Sequence, residues 1–375
     1  MYCYIHIPFC QSRCRYCRFS TFSGKNDIDK QIYVDFLVKE IVEYKNLDAI
    51  QRRFPSAREG QILLKSIYFG GGTPTSLNNS QLEKIINTLK NKFWFENDIE
   101  ITLETTIINI TKENLIEWKK LGVNRLSLGI QTLNNDSLKE IGRPNKEEII
   151  EKLDTIKRDR RPVSGVNKSL SISLDFIIGL PYVKIGEVRK DIQFIIKKYD
   201  FVNHISLYVL EEYYDYPKKW QELSIGEDEY LEEYKNCKKY LEDSGFSRYE
   251  LSNFAKQGFE CLHNKAYWDH SDIISFGLGS HGYLNQTRYA YPNNFKDYYA
   301  GIIDYKEDLS EKDLFLENVM FGLRTNGLEK IVYQKLNKEK INYFIEQKLL
   351  DIEDNKLILK DDGVTLIDYI IKEII

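Results

Sequence analysis

The chain has 375 residues, 42% of them hydrophobic, enough for one large domain or a large domain with a smaller companion. Its 53 Lys and Arg stand against 57 Asp and Glu, mixed along the sequence for a formal net charge of -4, so no basic field points to nucleic acid or anionic lipid. No apolar run reaches the roughly 18 residues of a membrane span, and Met1-Tyr-Cys-Tyr-Ile-His lacks the basic and apolar parts of a secretion signal, so a cytosolic protein is expected.

Taken in chain order, β-branched runs predict strands at 2–7, 65–69, 99–104, 124–130, 170–177 and 204–209. Amphipathic patterns between them predict helices at 32–44, 80–89, 111–121 and 185–199. Ser80-Gln-Leu82-Glu83-Lys-Ile85-Ile86-Asn-Thr-Leu89 puts apolar residues at i, i+3, i+4 and i+7 behind a Ser-x-x-Glu capping box. Such alternation implies right-handed βαβ units and a parallel sheet, either open and doubly wound or an incomplete barrel. The segments 52–60 and 158–165 read as exposed connections.

After about residue 245 the alternation fails, and a Tyr-, Asn- and Gly-rich region runs to about 303. From Ser310 onward come helices, two short strands around an Asp354-Asn355 turn, and a last helix, an order that fits a winged-helix-like α+β module. Residues 306–375 carry 11 Lys/Arg against 15 Asp/Glu, which favours packing on protein over DNA binding.

Chemistry concentrates in Cys10-Gln-Ser-Arg-Cys14-Arg-Tyr-Cys17. In a reducing compartment, clustered thiols read as metal ligands rather than disulfides. Of the other cysteines, Cys237 falls on the apolar stripe of a helix, Cys3 is expected to be buried in the first strand, and Cys261 stands apart. Three thiolates leave a tetrahedral zinc or an all-cysteine cluster one ligand short; on a [4Fe-4S] cluster they would leave one iron open to a non-protein ligand. A zinc completed by His6 is the plain alternative, although His6 precedes the loop within a strand. Further candidates collect at strand carboxyl ends, where βα folds keep their functional groups. Gly70-Gly71-Gly72-Thr73-Pro74-Thr75 follows the second strand, Glu104 ends the third and Gln131 the fourth, while Asp175 and Tyr208 lie in the fifth and sixth. The glycine run lacks the Lys-Ser/Thr of a phosphate loop, but bare backbone lets a ligand approach its N–H groups.

Cys10-x3-Cys14-x2-Cys17 followed by GGGTPT resembles the radical SAM superfamily, and more closely its branch of oxygen-independent coproporphyrinogen III oxidases and HemW-type heme chaperones. The matching stretches are Tyr4-Ile-His6-Ile-Pro8-Phe-Cys10, Tyr68-Phe-Gly-Gly-Gly-Thr-Pro-Thr75, Gly122-Val-Asn-Arg125-Leu-Ser-Leu-Gly-Ile-Gln131, Ile141-Gly-Arg143, Asp175-Phe-Ile-Ile-Gly-Leu-Pro181 and Phe321-Gly-Leu-Arg324-Thr. The resemblance implies an α/β fold, a partial (β/α)6 TIM-type barrel over 1–245, a family-specific extension over 246–303, and a small C-terminal winged-helix-like α+β domain over 304–375. It implies a [4Fe-4S] cluster on Cys10, Cys14 and Cys17. S-adenosylmethionine would chelate the open iron, surrounded by Tyr4, Gly71, Gly72, Thr73, Glu104, Gln131, Arg143 and Asp175. Arg143 can pair with the ligand's carboxylate, and Glu104 and Asp175 can accept from its ammonium or ribose hydroxyls.

The oxidases resembled here carry a further cysteine two residues after the third and an extension before the first strand; this chain has Phe19 there and three residues before Tyr4. His263-Asn264-Lys-Ala-Tyr267-Trp268 matches the HNxxYW pattern of the heme chaperones. The resemblance therefore implies heme binding with His263 as axial ligand, Tyr267 and Trp268 against the macrocycle, and transfer to an apo-hemoprotein that can be membrane-associated. Cys261 and His281 compete as ligands, and Arg13, Arg15 and Arg18 can meet propionates. Two departures are Arg18, where relatives often have an acid, and Asn145, where they commonly have His. The alternatives are a radical enzyme acting on a porphyrin, as decarboxylase or methyltransferase, and a zinc-bearing structural protein.

Overall fold

Tyr2–Ile7 forms the first strand, β1, and its alternation divides the chemistry of the fold: Cys3, Ile5 and Ile7 are buried on one face, while Tyr2, Tyr4 and His6 line the other. The computed structural model describes residues 1–44, 62–159, 170–211 and 216–375. These residues fall into two units, Met1–Leu174 with Cys261–Asp308, and Asp175–Glu260 with Leu309–Ile375. The connection expected at 52–60 lies outside the described residues, as does 160–165 of the one expected at 158–165, whose first two residues instead end the helix Lys146–Asp159.

The remaining expected strands are present as β2 (Leu63–Gly71), β3 (Trp94–Thr105), β4 (Arg125–Gln131), β5 (Ser171–Ile178) and β6 (Val202–Val209). In the first unit β1, β2, β3 and β4 run parallel side by side. Register aligns Tyr2, Tyr4 and His6 with Ser66, Tyr68 and Gly70. It continues from Ser66 to Glu100, from Tyr68 to Thr102, and from Glu104 to Ser127. One face of the sheet is thus polar and aromatic. The opposite face buries Ile67, Phe69, Ile101, Leu103, Leu126 and Leu128, and helices α1 (Asp27–Glu43), α2 (Asn79–Lys92) and α3 (Lys112–Leu121) each bury an apolar stripe of their own. Truncating one such buried Leu or Ile to Ala costs on the order of 2–5 kcal/mol.

Two features differ from the sequence expectations. The N-cap of helix α2 lies two residues earlier, at Asn78 rather than Ser80: Asn78 Oδ1 accepts from the Gln81 N–H at 2.9 Å and Gln81 Oε1 from the Asn78 N–H at 3.1 Å, so Asn78 and Gln81 make the capping box. Ser80 instead donates its hydroxyl to Asn78 Oδ1 at 2.7 Å; Asn caps as well as Ser, and the residue nearer the chain entry takes the role. The second is a strand, β7 (Ile273–Phe276), in the Tyr- and Asn-rich region. It pairs parallel with the free edge of β1 and leads into an antiparallel extension, β8 (His281–Leu284), β9 (Thr287–Ala290) and β10 (Tyr305–Asp308).

In the second unit β6 pairs antiparallel with Asn253–Ala255, and helices Glu187–Lys198 and Glu227–Asp243 flank it in sequence, the latter holding buried Cys237. Leu309–Ile375 contributes helices Glu311–Arg324, Lys338–Glu346 and Ile367–Ile374 and an antiparallel sheet of Leu328–Glu329, Lys356–Leu359 and Leu350–Glu353. Its hairpin turns on Asp354 and Asn355 with φ of 49° and 63°, the left-handed pair that a two-residue turn demands. Among the described residues no helix is long and apolar enough to cross a membrane.

Helix α1 is fastened to the β1–β7 edge by a buried polar network. Tyr33 donates to the His6 carbonyl at 2.7 Å and accepts from the Leu278 N–H at 3.2 Å, while Glu40 accepts from Tyr298 at 2.5 Å and the Gly277 N–H at 3.2 Å. Burial pushes the Glu40 carboxyl up to about 7 against its hydrogen bonds from Tyr298 and Tyr291. Because the folded value lies above the ordinary 4.5, the group's stabilisation is complete below pH 4.5 and is lost as pH rises to about 7. Glu40→Gln is expected to flatten the stability–pH curve across that window and to exceed the wild type at pH 8, read from urea midpoints at each pH.

Candidate functional site

The three-cysteine loop is held at the carboxyl end of β1 from both sides. Cys10 lies in the two-residue strand Phe9–Cys10, paired with Phe22–Ser23. The Phe9 carbonyl accepts from the Thr73 N–H at 2.8 Å and from Ser76 Oγ at 3.2 Å, and the Ile7 carbonyl accepts from the Gly72 N–H at 2.9 Å. On the other side Arg15 pairs with Glu140 at 2.9 Å, and its N–H reaches the Ile141 carbonyl at 3.4 Å. Within the loop the Cys17 N–H donates to the Cys14 carbonyl at 3.1 Å and Arg13 to the Cys17 carbonyl at 3.2 Å.

All three thiols are free and half-buried. Burial pushes Cys10 and Cys17 up; the Thr73 hydroxyl, 3.6 Å from Cys10 Sγ, and the nearby Arg143 guanidinium pull Cys10 back, while the neighbouring cysteines push it further. Ligation of a cluster would therefore displace thiol protons.

Each glycine of the run has its own steric reason. A Cβ on Gly70 would lie 2.9 Å from Tyr68, 3.1 Å from Glu104 Oε1 and 3.1 Å from Tyr4, so three predicted or neighbouring site groups converge on this one position. Gly71, at φ 104°, has the His6 ring 2.5 Å from where its Cβ would stand, and Gly72 has the Phe9 and Ile7 carbonyls at 2.8 and 2.9 Å. The bare backbone at Gly71 and Gly72 thus serves the protein's own close packing.

Around Gly70 the Tyr68 hydroxyl donates to Glu104 at 2.7 Å, and the Tyr4 and Tyr68 rings stack with centroids 6.1 Å apart. His6 Nε2 donates to the Ser20 carbonyl at 3.1 Å, which leaves Nδ1 to accept from Tyr4 at 3.2 Å. Burial lowers His6 to about 4, so it stays neutral and both nitrogens are engaged. His6 therefore does not complete a zinc site, and among the described residues no three His, Cys, Asp or Glu converge on a single-ion position.

At the end of β4, Gln131 sits at φ 72°, a left-handed conformation that costs a non-glycine residue about 1–2 kcal/mol. Arg143 donates to the Gly129 carbonyl at 3.1 Å, and a Cβ on Gly129 would meet both Arg143 and Gln131 at 2.4 Å. The fold thus gathers Cys10, Thr73 and Arg143 in one group, Gln131 and Arg143 around Gly129, and Tyr4 with Glu104 around Gly70. Asp175 lies half-buried on β5 in the second unit. Phe19, at the end of the loop, is 69% exposed.

His263 lies elsewhere, within the short helix Leu262–Trp268 at the opposite, amino-terminal side of the strands. It is 2% exposed and stacks on Tyr4 and Tyr68 with centroids 6.1 and 5.1 Å away. Its Nδ1 is 2.9 Å from Ser66 Oγ, Nε2 has no partner among the described residues, and burial lowers the pKa of the ring to about 3. Cys261 is buried beside Glu100 and pushed up to about 12, a poor thiolate ligand, whereas His281 is exposed. Sequence reasoning passed over Tyr68, Ser66 and Glu100. Their signal was the period of two leading back from Gly70 and Glu104 along β2 and β3.

A parallel sheet with a thiol loop at the carboxyl end of its first strand, strand-end polar groups beside it, and a glycine turn beneath defines a cofactor-binding partial barrel. Residues 4–195 match the Radical SAM superfamily. The chain is 32% identical to the heme chaperone HemW of Buchnera aphidicola (Schizaphis graminum) over 92% of its own length and 91% of that protein, and 30% identical to that of Bacillus subtilis over 98% and 94%. It shares its fold with Escherichia coli coproporphyrinogen III oxidase at a TM-score of 0.79 and 20% identity, covering 99% of this chain and 89% of that one. The chain belongs to the HemW family of the radical SAM superfamily. Membership implies a [4Fe-4S] cluster and S-adenosylmethionine, and the residues present suit the cluster: three free, half-buried thiols within one loop.

Gly72→Ala would drive a Cβ into backbone carbonyls that cannot yield. A loss on the order of 1–3 kcal/mol is expected, together with reduced iron uptake, measured by denaturation and by metal analysis after anaerobic reconstitution.

Proposed function

We propose that this protein is a heme chaperone, which binds heme and passes it to an apo-hemoprotein while carrying a [4Fe-4S] cluster and S-adenosylmethionine. The observation that carries this reading is identity of about 30% with proteins named heme chaperones over more than nine-tenths of the chain. Phe19, standing where the oxidases have a fourth cysteine, supports the same branch.

Cys10, Cys14 and Cys17 hold the cluster, which when bound supplies an electron able to cleave the sulfonium of S-adenosylmethionine. Tyr4, Gly71, Gly72, Thr73, Glu104, Gln131 and Arg143 form the S-adenosylmethionine site of the first unit, while Asp175, expected with them from the sequence, falls in the second unit. The crowding of Tyr4, Tyr68 and Glu104 around Gly70 and the nearness of Arg143 to Cys10 support that assignment. Arg143 gives the ligand carboxylate a cationic partner, Glu104 gives its hydroxyls or ammonium an acceptor, and the Tyr4 and Tyr68 rings close the floor. His263 is the axial ligand of the transported heme, and its neutral imidazole with an unpaired Nε2 suits that role. Recipients are cytosolic or membrane-surface apo-hemoproteins. The acidic winged-helix-like segment 304–375 serves protein contacts rather than DNA.

Two measurements test this. Anaerobic reconstitution should give about four iron and four sulfide per chain, lost in Cys14→Ala. Heme titration should show weaker binding and an altered Soret band in His263→Ala, without porphyrinogen turnover by the wild type; deoxyadenosine formed together with a decarboxylated porphyrin would transfer the protein to the enzyme class.

A further inference from the structure

His263 is ready to ligate but closed. In the tautomer whose Nδ1–H donates to Ser66 Oγ, 2.9 Å away, Nε2 keeps its lone pair, the form that binds iron, yet that atom is shut away from solvent and has no partner among the described residues. An axial ligand must reach the centre of a flat macrocycle wide enough to strike everything around the imidazole, so a nitrogen sunk in the protein cannot serve where it stands.

The closure has a definite construction. The helix Leu262–Trp268 is seven residues long, a single short plug over the amino-terminal side of β1, β2 and β3. Its start is held by Glu100 of β3, whose carboxylate accepts from the N–H groups of Leu262 and His263, each at 3.3 Å, and lies 3.6 Å from Cys261 Sγ. Inside, His263 rests on Ser66 and the Tyr4–Tyr68 layer. Outside, Leu262 and Tyr267 are each 41% exposed, and Tyr267 meets the His263 ring edge-on at 5.4 Å. So short a helix has little stability of its own and depends on its contacts with the sheet, of which those to Glu100 and Ser66 are polar.

We propose that Glu100 and Ser66 are positioning residues that keep His263 in a latched, heme-inaccessible store, and that heme ligation requires the helix Leu262–Trp268 to swing free of Glu100. The proposal rests on the reading of His263 as heme ligand and adds what controls access to it. The apparent heme affinity is then set by the fraction of open protein, and weakening the latch raises that fraction. Removing a charged acceptor from two backbone N–H groups should raise the open population about 5- to 20-fold.

The test uses the full chain, free hemin, and the variants Glu100→Ala and Ser66→Ala. In stopped-flow mixing, both should bind heme about 5- to 20-fold faster than wild type, with Glu100→Ala keeping the wild-type Soret and EPR signature of the His263 complex. In heme-free protein, amide exchange of residues 262–268 should quicken in Glu100→Ala while β1–β4 stay protected. In wild type, peptide mapping should find Cys261 labelled by a thiol reagent only after heme is added. Unchanged heme association in both variants, or helix amides and Cys261 that stay protected in the wild-type heme complex, would overturn the latch. An unaltered heme spectrum in His263→Ala would instead overturn the ligand assignment on which it rests, so the two failures are separable.

Discussion

Everything at the carboxyl end of the strands depends on one crossing of backbones. The Ile7 and Phe9 carbonyls accept from the Gly72 and Thr73 N–H groups across a gap that only glycine permits. This pins the start of the cysteine loop against the end of β2, so a loop of irregular backbone acquires the rigidity of the sheet beside it. From that fixed point Cys10 finds Thr73 and Arg143, and the loop's far side is tied down through Arg15 and Glu140. Without the crossing, three thiols at intervals of four and three would be a flexible chelator rather than a site.

The interior of the sheet is organised by rows. His6, Gly70, Glu104 and Ser127 lie at the carboxyl end; Tyr4, Tyr68 and Thr102 form the layer below; Tyr2, Ser66 and Glu100 form the lowest. The tyrosine layer lies beneath the upper row and over His263. Through it the strand-end residues and the HNxxYW helix, far apart in sequence, pack on the same two rings. Neutral histidines suit both positions, because burial disfavours charge and one is satisfied by Tyr4 and Ser20.

Much of the fold was legible from residues alone, because hydrophobic period and strand-end punctuation are local signals. All six expected strands were found, with ends misjudged by up to five residues where β3 begins in the exposed Glu96-Asn-Asp98 stretch, which resists any apolar pattern. The Asp354-Asn355 turn followed from its backbone preference. Strand β7 escaped because four apolar residues between polar loops look alike whether they join a sheet or not; only β1's open edge recruits them. The capping box of α2 slipped because Asn78 and Ser80 offer the same chemistry two residues apart.

The sequence by itself determined which groups bear chemistry: three thiols held close by covalent spacing, a glycine turn, and polar residues where strands end. Spacing along a chain fixes such local proximity. What only the tertiary structure decided is company and access. That Gly72 serves the crossing, and that His263 stands sealed beneath two tyrosines and behind Glu100, arise from contacts between segments 65 or more residues apart, whose register no local pattern records; that His6 is spent on Tyr4 and Ser20, 2 and 14 residues away, depends on how the loop folds back on the strand.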